Sequence, residues 1–107
     1  MSWKVEALDE LVAAEIAALP KDMRAKFEHI SHMIMSFGLE RMREPYVKHI
    51  EGPLWEMRLI GRDGIARAFY VTATGRRVVV LRAFRKKTQK TPRSEIELAL
   101  KRAKEVK

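Results

Sequence analysis

One apolar stripe constrains this chain more than any other feature. Met23, Phe27, Ile30, Ile34 and Phe37 fall at i, i+4, i+7, i+11 and i+14, which is the recurrence of a helix with one face turned to a core, and Gly38 ends it. Pro20 suits the first turn of that helix, where its missing N–H is not needed, and Asp22 suits the positive end of the dipole. A preceding helix, capped by Asp9 with Glu10 in its first turn, carries Leu11, Val12, Ile16 and Leu19 at helical spacing and stops at Pro20. So short a turn predicts an antiparallel helical hairpin, whose stripes must be covered by another layer.

The rest of the chain supplies a sheet for that layer. Trp3, Val5 and Ala7 alternate with Ser2, Lys4 and Glu6, predicting a short first strand. Residues 39–53 contain Pro45, Gly52 and Pro53 without a sustained period and read as a connecting loop. Trp55, Met57 and Leu59 then alternate with Glu56 and Arg58. Turn chemistry at Gly61-Arg62-Asp63-Gly64 leads to a second strand over 65–72, and Ala73-Thr74-Gly75 turns into the apolar run Val78-Val79-Val80-Leu81. Thr91-Pro92-Arg93-Ser94-Glu95 opens a last helix with Ile96, Leu100 and Ala103 on one side. The expectation is one α+β domain over 1–107, in the order β-α-α-β-β-β-α, with a three-stranded antiparallel meander under the hairpin.

Charge then narrows the function. The 107 residues carry a net +8, but residues 1–53 hold 7 basic and 9 acidic side chains (−2), while residues 54–107 hold 15 and 5 (+10). Arg82, Arg85, Lys86, Lys87, Lys90 and Arg93 place six cations in twelve residues with no acid among them, a self-repulsion that a polyanionic partner relieves. The chain has no Cys, hence no disulfide framework or thiolate metal site, and it shows no metal-ligand spacing, glycine-rich phosphate loop or Ser/His/Asp set. No cofactor is expected. Without an apolar run of signal-peptide length at Met1-Ser2-Trp3-Lys4-Val5-Glu6, or of the ~18 residues a membrane span needs, the expected location is the cytoplasm.

Alternation places the charge on faces. If Met57 and Leu59, with Trp55, and Ala66, Ala68 and Tyr70 face the helices, Arg58 and Arg67 face away from them, while Val78, Val80, Arg82 and Phe84 share one side of the third strand. The arginines of three adjacent strands thereby lead into the cluster from Arg85 to Lys90, a cationic site suited to phosphate because Arg offers a planar fork of donors and Lys a compact charge. Lys48, His49, Arg82, Arg85 and Lys90 are the expected contacts around it to a phosphate-rich chain, RNA if the resemblance drawn below holds. For proton transfer the candidates are His49, Glu56 and a lysine beside other cations, whose pKa is thereby lowered.

These residues also carry a resemblance. Leu54-Trp55-Glu56-Met57-Arg58, Gly64-Ile65-Ala66-Arg67-Ala68-Phe69-Tyr70 and above all Leu81-Arg82-Ala83-Phe84-Arg85-Lys86-Lys87-Thr88-Gln89-Lys90-Thr91-Pro92 resemble the HigB branch of the RelE/ParE superfamily of bacterial and phage toxins. The resemblance implies a RelE-like fold, a small twisted antiparallel sheet with an N-terminal helical hairpin on one face. It also implies cleavage of messenger RNA on the ribosome and silencing by an antitoxin encoded alongside, with a helix-turn-helix DNA-binding domain. Arg67 matches the arginine that contacts the scissile phosphate, Arg58 a basic position on the preceding strand, and Lys86 with Lys87 the basic end of the last strand; these four are the expected catalytic residues. Relatives often have His where this chain has Arg82, which cannot accept a proton at neutral pH. Two rivals remain open: a gyrase inhibitor of the ParE type, and a basic module that binds nucleic acid without cutting it.

Overall fold

In the computed structural model, which describes residues 2–86 and 90–107, the elements assemble around one five-stranded sheet. In chain order they are β1 (Lys4–Ala7), α1 (Glu10–Ala17), α2 (Lys21–Phe37), a 3₁₀ turn (Leu39–Arg41), β2 (Val47–Glu51), β3 (Leu54–Gly61), β4 (Gly64–Ala73), β5 (Arg77–Lys86) and α3 (Arg93–Ala103). The sheet runs β1-β5-β4-β3-β2, with β2 to β5 an antiparallel meander and β1 parallel to β5 at the far edge. The α+β class and the helical hairpin agree with the sequence reading.

Two features of the sheet differ from it. The segment 39–53 contains β2, which lacks a readable alternation because it is a short edge strand: only Val47 is buried, and the tight turn at Gly52-Pro53 follows directly. The meander therefore has four strands rather than three. The sheet is also not wholly antiparallel, since alternation in β1 marks a strand but carries nothing about its direction or neighbour.

The two faces bury different cores. Val12, Met23, Ile30 and Ile34 of the hairpin pack on Met57, Leu59, Ala66, Ala68, Tyr70, Val78 and Val80. On the other face Ala99, flanked by Ile96 and Leu100, covers Leu54, Phe69, Val71, Val79, Leu81 and Phe84. The face opposite the hairpin is thus half closed by α3. Trp55 lies on the hairpin side as expected, yet it is 38 % exposed and lines a cleft of about 290 Å³ with Trp3, Leu39 and Tyr70.

A β-bulge corrects one assignment of faces. Phe69 pairs with Arg82 but Tyr70 pairs with Val80, so Leu81 is an extra residue in β5 and the parity of the strand flips there. Val78 and Val80 point to the hairpin, whereas Arg82 and Phe84 point to the α3 side. Continuous period-2 reading had put all four together.

Local contacts explain the element ends. Asp9 Oδ1 accepts the Val12 N–H at 2.9 Å, the cap expected for α1. Pro20 stands at the N-cap of α2, one position earlier than expected, and contributes no side-chain cap. Asp22 instead accepts Met23 N–H at 2.9 Å and reaches across to the Arg62 N–H at 2.6 Å, tying the β3–β4 turn to the start of α2. The Arg62 hydrogen bond holds the Asp22 carboxyl below the usual carboxylate range. That approach requires glycine at 61, where a Cβ would lie 2.6 Å from Asp22 Oδ2 and 2.9 Å from Met23 Cγ. Gly61→Ala is expected to destabilise the fold by about 1 to 3 kcal/mol, measured as a lower urea midpoint with an unchanged slope. Among the described residues no helix is long and apolar enough to cross a membrane.

Candidate active site

The register of the meander builds the site in rows. Lys48, Glu56, Phe69 and Arg82 lie opposite one another across β2 to β5; Arg58, Arg67 and Phe84 form the next row; Ile60, Ile65 and Lys86 form the third. Directly paired residues share a face, so Lys48, Glu56, Arg58, Arg67 and Lys86 all emerge on the side of the sheet that carries α3.

At its centre is a buried ion pair. Arg67 Nη1 donates to Glu56 Oε1 at 2.5 Å, with Arg67 5 % and Glu56 2 % exposed. The pair is incompletely satisfied: Glu56 Oε2, Arg67 Nε and Arg58 Nε are buried without a hydrogen-bond partner among the described residues. Burial raises the Glu56 carboxyl above the usual carboxylate range, and the opposing pull of Arg67, Arg58, Lys86 and Lys48 does not cancel it. Burial likewise lowers Arg67, against the attraction of Glu56, although an arginine keeps its proton regardless. Lys86 is lowered by desolvation first and then by Arg67, with Glu56 acting in the other direction. A pair that loses more to desolvation than it regains by attraction is a poor stabilising device, and orphaned buried donors need another explanation. Such clusters of shifted groups concentrate at functional sites.

The remaining expected residues separate. Arg82 shares the face of Glu56, but its Nε and Nη2 bind Glu95 at 2.7 and 3.1 Å and its Nη1 lies 3.1 Å from Glu15. Arg85 pairs with Ala66 on the hairpin side and donates to Asp63 O at 3.2 Å. His49 pairs with Trp55 on that same far side, stacks edge-on against its ring at 5.1 Å, and has Nε2 2.8 Å from Gly52 O. Lys90 is exposed between β5 and α3, and Lys87 lies outside the described residues. The two ends of the cationic run are therefore answered from within: Glu15 and Glu95 meet Arg82, while Glu51 and Glu97 meet Arg93.

One of these networks frames the site. Beyond Val80, whose carbonyl accepts the Leu8 N–H, β1 no longer borders β5. Side chains take over that edge: Glu15 Oε1 accepts the Ala83 N–H at 3.2 Å, and Arg102 Nη1 donates to Leu81 O at 2.8 Å. Arg102 and Glu15 also pair at 2.9 Å, which joins α1, β5 and α3. Sequence reasoning missed this network, because Glu15 is 67 residues or more from its partners and nothing local marks it. Glu56 was within reach as one of three proton-transfer candidates, but an acid between apolar neighbours on an alternating strand gives no sign of burial.

The model of the phage-derived Gp49-like proteins (DUF891) matches residues 14–104. The chain belongs to that family. Its fold is similar to that of the E. coli toxin RelE, solved in the free state as a double arginine-to-alanine mutant, with a TM-score of 0.66 and 16 % identity over 95 % of this chain and 98 % of that one. It is also similar to the archaeal RelE–RelB complex from Pyrococcus horikoshii OT3, with a TM-score of 0.57 and 21 % identity over 81 % and 98 %. At these identities the likeness establishes the RelE-like fold of this Gp49-like chain. No curated protein matches its sequence.

Proposed function

We propose that this chain is the toxin of a toxin–antitoxin pair, of the HigB type, and that it cleaves messenger RNA on the ribosome. The observation that carries the reading is the convergence of Arg58, Arg67 and Lys86 on one side of the sheet, with the ε-nitrogens of both arginines unpartnered among the described residues around a buried carboxyl group. Family membership and the RelE-like fold support it, and a RelE-like chain solved together with RelB supports an antitoxin partner. By the sequence resemblance that antitoxin is a helix-turn-helix protein encoded next to this chain, and the pair acts in the cytoplasm.

RNA supplies its own nucleophile. The 2′-oxygen attacks the adjacent phosphorus, a 2′,3′-cyclic phosphate forms, and the 5′-oxygen leaves as a hydroxyl, so neither a metal nor a covalent enzyme intermediate is required. Arg67 and Arg58 stabilise the charge that gathers on the phosphate, with Lys86 and, next in sequence, Lys87 adding to it. Lys48 guides the chain from the outer strand. Arg85, Lys90 and His49 are left for contacts away from the scissile phosphate, and Arg82 principally holds α1 and α3 to the sheet.

Glu56 and Lys86 are the two groups at the patch that titrate toward neutrality, from opposite directions. Cleavage that needs Lys86 protonated falls away on the alkaline side, and that limb is expected below the usual lysine range. Lys86→Arg should move it upward.

The test is induced expression of the wild type, Arg58→Ala and Arg67→Lys, with primer extension on an abundant message. New translation-dependent 5′ ends with the wild type alone are expected. Growth arrest with intact messages and broken DNA would overturn the reading in favour of a gyrase inhibitor.

A further inference from the structure

Glu56 sits among the cations that a substrate anion would use. Its Oε1 holds Arg67 Nη1, and it is the acidic member of a patch otherwise made of Lys48 from β2, Arg58 from β3, Arg67 from β4 and Lys86 from β5. Arg82, the other cation in its row, is held by Glu15 and Glu95. We propose that a phosphodiester entering this patch takes Arg67 from Glu56, and that Glu56 takes up one proton from solvent in the same event. The inference rests on the reading that the site receives an RNA phosphate, and it adds a proton linkage to that site.

Competition between two anions for the same cations in a dry place drives the exchange. While the patch is empty, Arg67 and its neighbours compensate the Glu56 carboxylate, and burial already works against its charge. A bound phosphate brings a second anion and draws the same cations to itself. Two anions a few ångströms apart, sharing donors and shielded from water, disfavour each other's charge, and the phosphodiester cannot accept the proton in this pH range. The carboxylate is the group that yields. Its unpartnered Oε2 is a natural seat for the proton, since no donor competes for it among the described residues. A carboxylic acid then stands beside the phosphate, where a carboxylate would have repelled it.

Isothermal titration calorimetry on the full chain tests this, using a 2′-O-methyl oligouridine of about six nucleotides, which cannot be cut and whose bases do not titrate between about pH 5 and 8. Titration in two buffers of different ionisation enthalpy gives the number of protons exchanged. The wild type is expected to take up close to one proton over part of that range, with affinity falling up to about tenfold per pH unit there. Glu56→Gln should bind with no such uptake, with flat pH dependence, and more tightly than the wild type at the upper end. His29, His32 and His49 are retained in that variant, so any uptake they cause remains in it. Uptake by Lys86 falls on the alkaline side and remains as well.

Should Glu56→Gln not fold, carbon-13 NMR of the glutamate carboxyls in the wild type replaces it, with one signal moving to the protonated position when the oligonucleotide is added. Binding without proton exchange, uptake unchanged in Glu56→Gln, or no binding at all overturns the linkage. Binding without uptake leaves the nuclease reading standing. Uptake by a chain that never cuts RNA keeps the linkage and removes the nuclease.

Discussion

Replacing Arg67 with Ala is expected to reduce RNA cleavage by about 100- to 1000-fold, the usual loss when one preorganised donor at a reacting phosphate or oxyanion is removed. The same substitution weakens the fold. It strips the buried Glu56 of the donor at 2.5 Å and leaves an uncompensated carboxyl in the sheet, a loss of about 3 kcal/mol. A fall in activity alone would therefore not separate chemistry from folding. Arg67→Lys does separate them: it keeps a positive charge for Glu56 but loses the planar fork that presents paired donors to a phosphate. That variant is expected to keep most of its stability, to retain RNA binding, and still to lose cleavage by at least about tenfold. Single-turnover rates at saturating RNA, set beside urea unfolding of the same samples, check both statements.

The second large effect lies outside the site. Glu15→Ala is expected to cost about 2 to 3 kcal/mol, because one carboxylate serves three partners: the Arg82 and Arg102 guanidiniums and the Ala83 N–H at the uncovered edge of β5. Its side chain is 12 % exposed, so water replaces few of these bonds. Glu15→Gln keeps an acceptor for Ala83 and should lose less. Loss of the network also loosens α3 from the sheet, so hydrogen exchange in 93–103 should accelerate more than in β3 or β4. A uniform change across all elements would show instead that Glu15 contributes only to global stability.

How far the sequence reached depended on the range of the interactions involved. The helical hairpin was readable because α1 and α2 bury one face each at a fixed period, and Asp9 and Gly38 mark their ends locally. The opposition of Arg58 and Arg67 was nearly readable too, since alternation around a two-residue turn fixes their register. What failed was non-local. The bulge at Leu81 arises from pairing between strands and turns Arg82 away from Val78 and Val80. The cationic run looked bare because Glu15 and Glu51, which neutralise Arg82 and Arg93, lie tens of residues upstream. Glu56 is flanked on one side by β2, a strand too short and too polar to announce itself.

The central claim is that Arg58, Arg67 and Lys86 form a phosphate site at which RNA cuts itself. The chemistry of the ends tests it most directly: cellular RNA is collected after brief induction, and the new termini are sorted by whether they carry phosphate. The account predicts 5′-hydroxyl ends facing 2′,3′-cyclic phosphates within translated regions, present with the wild type and absent with Arg67→Lys. New ends bearing 5′-phosphate, or an arrest without new ends at all, would contradict it.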